Sequence, residues 1–293
     1  MARKNSFNQM LLGLDLILSG HNRVIGSDFV MIQRDPFNAD IGHLDPQDLR
    51  TFDQDFIDML LAIKPKQKVF IPKNLKNICQ DYINQREQLS TYHENATDLL
   101  LTYDIKAAKE LGNFDEYINK VVIRNDAELD VLYDYIALYR KINGERPIVH
   151  WGSKKSKLIN KNNEAVVNAH AKAKFAVLRL DQNLDHGAIR VTNVINQEEC
   201  ILMDRALHAS QRAGFFFICS LLDMKDYHMT SGGGIPIPPS MDIGRSAITL
   251  LKKHLDKLRS AKKVLNNDII KCVREIYGFY LRSGIMERMT IHR

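Results

Sequence analysis

The stretch FAVLRLDQNLDHGAIRVTNVINQEECILMDRALHASQRAGFFFICSLLDMKDYHMT, residues 175–230, decides the fold. It breaks into apolar runs at Phe175–Leu180, Ala188–Ile195, Glu199–Asp204, Phe215–Leu222 and Tyr227–Thr230. Turn-rich pieces separate them at Asp181–Gly187, Asn196–Glu198, Arg205–Gly214 and Met224–Asp226. Short strands at this spacing, punctuated by turn residues, predict a small five-stranded antiparallel barrel, closed or half-closed. Ile189 and Val191 alternate with Arg190 and Thr192, as a half-buried strand requires. Phe215-Phe216-Phe217-Ile218-Cys219 is apolar on both faces, which suits a central strand. Ser231, Gly232, Gly233, Gly234 and Pro236 then predict a tight turn and an exit from the sheet.

On either side the apolar period lengthens. Residues 5–142 read as mostly helical. Asp45-Pro46 has the chemistry of an N-cap followed by proline at the first helical position. Leu49, Phe52, Phe56, Met59, Leu60 and Ile63 follow on one face, and Lys64-Pro65 ends that helix. Pro72 opens another, with Leu75, Ile78, Cys79, Tyr82 and Ile83 on one side. Further helices are expected over 97–111 and 114–123. Another starts at Asp126, carries Leu129, Leu132, Ile136 and Tyr139, and stops at Asn143-Gly144. Two more are expected over 241–265 and 267–282. The chain therefore reads as α+β: a helical region over 1–146, a basic exposed connector over 147–174 with a short helix near 163–172, the barrel over 175–240, and a basic helical pair over 241–293. No solenoid repeat is visible.

The order RVTNVINQEECILMDRALHAS (190–210), then GFFFICSLLDMKDYHMTSGG (214–233), resembles a small β-barrel module of uncharacterised bacterial proteins. The resemblance spans residues 175–234. It implies a barrel and no activity.

Composition excludes several classes. The chain has 293 residues, 45% hydrophobic and 26% charged, with net charge +6. Those are globular values, unlike those of a disordered, collagenous or disulfide-scaffold chain. Cys79, Cys200, Cys219 and Cys272 form no CxxC and read as buried thiols. The apolar run Met10–Leu18 is interrupted by Asp15 and far short of the ~20 residues a membrane span needs. No small-residue cleavage pattern follows it. A cytoplasmic protein without a membrane span is expected.

Catalytic patterns mostly fail. His93-Glu94 begins the zincin pattern, but Thr97 stands where the second histidine must be. Gly152-Ser153-Lys154 lacks the glycine spacing of a phosphate loop. Ser231 is no nucleophile elbow, because Met229 occupies the preceding glycine position. The aspartates between Asp35 and Asp58 lack the spacing of a calcium loop and suit helix starts. Asp204, His208 and Ser231 are the candidates for an acid–base or nucleophilic device in the barrel loops. No metal site or cofactor is expected.

Charge distribution is more informative. Residues 245–293 hold twelve Lys and Arg against four Asp and Glu, so the rest of the chain is slightly acidic. On the penultimate helix Ile248, Leu251, Leu255 and Leu258 form an apolar stripe. Lys252, Arg259 and Lys263 share a second face, flanked by Lys253 and Lys257 and weakened by Asp256. Lys154, Lys155 and Lys157 add positive charge in the connector. The leading expectation is a non-enzymatic binding protein that contacts RNA or DNA backbone through these residues. Neutralising about five phosphates would give a log–log salt slope of about −4.5. The alternatives are a protein-interaction module, in which acidic and basic faces meet partners or each other, and a hydrolase-like enzyme at the barrel loops.

Overall fold

The computed structural model describes residues 22–24, 29–32, 53–100, 104–117, 119–123, 126–141, 146–151, 159–210, 213–237, 242–260 and 267–283. The chain is α+β. A closed barrel has the strand order β5-β6-β7-β9-β8, with β5 Lys174–Asn183, β6 Ala188–Asn193, β7 Glu198–Met203, β8 Phe216–Asp223 and β9 His228–Ile237. The expected all-antiparallel sheet is corrected in one place. β7 and β9 run parallel, paired at Leu202 and His228. Parity explains this: around a ring of five strands, alternating directions cannot close without one parallel pair.

Alternation sorts the side chains. Ala176, Leu178, Leu180, Ile189, Val191, Cys200, Leu202, Phe217 and Cys219 form the apolar cluster inside the barrel. Phe175, Val177, Ile201, Met203, Phe216, Ile218 and Leu222 join a second, larger core shared with the helices. Both faces of most strands are therefore buried, as in a sheet covered by other elements.

Residues 231–237 are the second correction. They continue β9 instead of leaving the sheet. Cys219 pairs with Gly234 and Leu221 with Thr230, so Ser231–Gly233 together oppose the single residue Ser220. This is a bulge in the middle of β9. A Cβ on Gly234 would enter the Phe217 ring, and one on Gly233 would lie 2.6 Å from the Asp130 carbonyl oxygen. The glycines therefore serve close packing, which the composition of a turn also satisfies.

The helices are α1 Gln54–Leu61, α2 Leu75–Leu100, α3 Asp104–Leu111, α4 Asp126–Asp134, α5 Pro147–Trp151, α6 Glu164–Ala171, α7 Arg205–Ser210, α8 Asp242–Ser260 and α9 Asn267–Ser283. Asp53 caps α1 by accepting from Phe56 N at 2.9 Å, while its own N–H donates to Thr249 Oγ1 of α8 at 2.9 Å. The Asp45-Pro46 start lies outside the described residues. The stripe expected on α8 is buried at Ile248, Leu251, Leu255 and Leu258. α4 runs into a π-helical turn, Tyr135–Tyr139, whose five residues are all buried.

Further corrections concern short elements. The helix expected over 114–123 is two strands, β3 Phe114–Asp115 and β4 Lys120–Ile123, in a second sheet ordered β1-β2-β4-β3. Its other strands are β1 Asn22–Val24 and β2 Phe29–Ile32, and β2 lies parallel to β4. Val121 and Ile123 are both fully buried with Val122 less so, the two-residue period of a strand. The Arg205–Gly214 piece contains α7. In the stretch read as exposed connector, Val166, Val167 and His170 are buried on α6.

Candidate nucleic-acid interface

The structure concentrates polar chemistry in a sealed centre, on α8, and in an open cleft at one end of the barrel. The sealed centre holds one of the sequence candidates. Ser231 Oγ donates to Asp134 Oδ2. Asp134 is at the end of α4, where close packing over Gly233 brings helix and strand together. Burial pushes its carboxyl up to about 8, against the lowering effect of the Ser231 and Ser220 hydroxyls. Tyr139, from the π-helical turn, bonds Ser220 across the bulge at 2.8 Å. Arg86 Nη1 donates to the Thr230 carbonyl at 2.6 Å. Nearby, His170 is fully buried and burial lowers its imidazole to about 3, so it is neutral. Neither of its ring nitrogens, nor the Tyr92 and Tyr133 hydroxyls, nor Asp134 Oδ1 makes a hydrogen bond among the described residues.

The other two catalytic candidates have different partners. Asp204 caps α7, accepting from Leu207 N at 2.9 Å, and its second oxygen accepts from Thr230 Oγ1 at 3.4 Å. His208 Nε2 meets the Leu184 carbonyl at 2.8 Å. Asp204 and His208 are joined only through the main chain, His208 N donating to the Asp204 carbonyl at 2.9 Å, and no side-chain hydrogen bond joins His208 to Asp204 or to Ser231 among the described residues. Ser231 and Asp134 are each only 1% exposed.

Most of the basic face of α8 is already engaged. Lys252 forms a short ion pair with Asp53 Oδ2, which holds that carboxyl below its usual range. Lys257 lies 3.6 Å from Asp268. Arg259 donates to the carbonyls of Ile195 at 3.2 Å and Val194 at 3.4 Å. Lys253 is exposed and has no ion pair among the described residues. Lys263, Lys154, Lys155 and Lys157 lie outside the described residues.

The cleft was not singled out from sequence. The chain between α1 and α2 crosses the barrel as an extended segment, and three fixings hold it there. Arg179 on β5 donates to the carbonyls of Leu61 at 2.6 Å and Ile63 at 2.7 Å, and is itself oriented by Asp181 at 2.7 Å. Lys66 N then donates to Gln197 O at 3.0 Å, and Gln67 forms a parallel bridge with Glu198. Finally Val69 N donates to Glu199 Oε2 at 2.6 Å. Between this segment and the barrel lies a cavity of about 580 Å³.

Lys66 and Lys68 line one bank of the cavity, and Lys172 and Lys174 line the other. All four are exposed. Glu198, Glu199, Asp223, Asn193, Asn196 and His228 also line it. Burial lowers the His228 imidazole more than Asp223 raises it. Phe70 stands at the rim, 75% exposed. Arg259 connects α8 to the same region, since the carbonyls it holds lie between the cleft residues Asn193 and Asn196. The run Lys64-Pro65-Lys66-Gln67-Lys68-Val69-Phe70 was a readable signal, since lysines interleaved with an aromatic mark a candidate nucleic-acid contact.

Among the described residues, no group of three His, Cys, Asp or Glu is placed to hold a metal ion, and no helix is long and apolar enough to cross a membrane. Fold and cleft define an α+β protein with a helix-covered mixed barrel and a lysine-banked cleft at its mouth. The chain belongs to a family of unknown function, DUF7986, whose model matches residues 76–285. The inner bank of the cleft lies in that span and the Lys66–Phe70 segment precedes it. No curated protein and no solved structure matches the chain.

Proposed function

We propose that this protein is a non-catalytic binder of nucleic-acid backbone, with the cleft as its main surface and Lys253 of α8 as an auxiliary contact. The observation that carries the reading is that four exposed lysines line one cavity, Lys66 and Lys68 from the crossing segment and Lys172 and Lys174 from the junction of α6 and β5. Phosphate attraction is independent of sequence and needs only clustered, accessible cations. The cleft lysines fit that requirement better than α8, where Lys252, Lys257 and Arg259 already have acceptors. The sealed Asp134–Ser231 centre fits a structural role.

Fluorescence anisotropy with labelled oligonucleotides at ~50 to 300 mM salt tests the proposal. Four neutralised phosphates give a log–log slope of about −3 on single strands. Replacing Lys172 and Lys174 by alanine is expected to lower the slope by about one to two and weaken all sequences alike. Absence of binding at ~50 mM salt, or a slope indifferent to the cleft lysines, overturns it.

A further inference from the structure

Resting on the polyanion reading, we infer that the cleft takes single-stranded nucleic acid, with phosphates on the lysine banks and an unstacked base against Phe70. Three features point beyond a simple polyanion. The first is Phe70 itself. An aromatic ring left 75% exposed, directly after Lys66 N and Val69 N are bonded to the barrel and five residues before α2 begins, is a tethered platform, not a loose tip. Every base offers a π-face to such a ring, and stacking requires that the base be unpaired.

The second feature is the distribution of charge. The banks are cationic, but the lining also includes Glu198, Glu199 and Asp223. Inorganic polyphosphate or a sulfated chain would meet those carboxylates with like charge. A nucleotide strand carries both signs of polarity, with anionic phosphates and bases whose exocyclic amino groups donate. Carboxylates accept from such groups, as with cytosine N4. Glu198, which accepts from Asn196 Nδ2, and Asp223 are exposed to a ligand, whereas Glu199 is occupied by Val69 N and Arg190 and holds the segment in place. Asn193, which accepts from Ile195 N, and the neutral imidazole of His228 complete a lining suited to base edges.

The third feature is size. A cavity of about 580 Å³ falls in the range of small-ligand sites and admits a base with its sugar, which a strand can insert only where that base is unpaired. The amino-accepting lining further favours cytosine and adenine over thymine and uracil.

The test is a set of labelled 15-mers, dC15, dA15, dT15 and a mixed-sequence duplex of equal length, titrated with the full chain at ~50 mM salt. Single strands are expected to bind about tenfold tighter than the duplex, and dC15 and dA15 several-fold tighter than dT15. Phe70→Ala is expected to weaken dC15 about tenfold, in line with the loss of one stacked base. It should leave the thermal melt unchanged, because the ring lies outside the core. Phe70→Tyr should restore binding, and a 2-aminopurine base in the oligonucleotide should change fluorescence with Phe70 present and not with alanine there. Duplex binding equal to single-strand binding, or indifference to Phe70→Ala, overturns this inference while leaving the phosphate reading intact. Failure of every oligonucleotide to bind removes that reading first.

Discussion

At the Ser231 bulge the polar groups lie away from water, while at the Phe70 cleft they face it, and the same residue types behave differently in the two places. The His170 ring in the centre has no hydrogen bond among the described residues, and burial makes it neutral. The cleft lysines remain exposed on either side of a cavity. The centre is made by close packing: α4 presses on β9 at Gly233, and the bulge turns Ser231 toward Asp134. The cleft is made by an added segment that the barrel holds through main-chain bonds. Gly233→Ala therefore has the largest expected effect. Its Cβ would meet backbone, 2.6 Å from the Asp130 oxygen, and the helix must shift. Overpacking of this kind costs about 1–3 kcal/mol. A urea titration should show the loss, with oligonucleotide binding by the folded fraction unchanged. Equal urea midpoints for variant and parent would mean that α4 does not press on β9 as described.

The centre should also govern pH dependence. Asp134 is raised in the folded state to about 8, so its contribution to stability is complete below about pH 4 and fades as pH rises toward 8. His170 is lowered to about 3, so its contribution is complete above about pH 6.5 and fades as pH falls. The two oppose each other between pH 4 and 6.5, and Asp134 acts alone between 6.5 and 8. Asp134→Asn should remove most of the stability decline between pH 6.5 and 8. It should also make the protein more acid-sensitive below 6.5, where the His170 effect is no longer offset. Urea midpoints at pH 5, 6.5 and 8 measure this, and a variant with the parent's slope would show that Asp134 is already ionised when folded.

Arg179 links the core to the cleft. Arg179→Ala removes donors to three carbonyls at the end of α1, those of Leu60, Leu61 and Ile63. A net loss of about 1–2 kcal/mol is expected from bonds of this kind. Amide exchange at Lys66 and Val69 should quicken more than exchange in β5 and β6, and single-strand affinity should fall with it. Uniform acceleration across the barrel would mean that Arg179 supports the fold generally and not the segment.

What the sequence made legible follows from these contrasts. The barrel strands and the α8 stripe were readable because burial imposes a period, two in the strands and three-to-four on the helix. The parallel β7–β9 closure was not, since a hydrophobic pattern carries no strand direction. Ser231-Gly-Gly-Gly suggested a turn because glycine composition is the same whether a chain bends or admits a neighbouring helix and the Phe217 ring. Ser231 was noticed for its chemistry, but its partner Asp134 lies 97 positions away and sits within a helical pattern. The basic excess of residues 245–293 was plain in composition. Which of its cations stay free depended on Asp53 and Asp268, a matter of tertiary placement. The cleft was half legible: the alternating lysines were in view, but the opposite bank enters through a different element.

Asp53→Asn is expected to have the smallest effect on stability and the most direct bearing on α8. The amide can still accept from Phe56 N, so the cap survives, and asparagine ranks with aspartate at this position. What is lost is the ion pair with Lys252, whose side chain is 55% exposed. Exposed pairs contribute little to stability, so the urea midpoint should scarcely move. Lys252, released, then faces solvent near Lys253 on the same helix. If α8 assists the cleft, oligonucleotide affinity should rise about twofold at low salt, and the salt slope should steepen by about 0.7 for the one added phosphate contact. An unchanged slope would restrict phosphate contact to the cleft and leave the helix lysines as solvated surface.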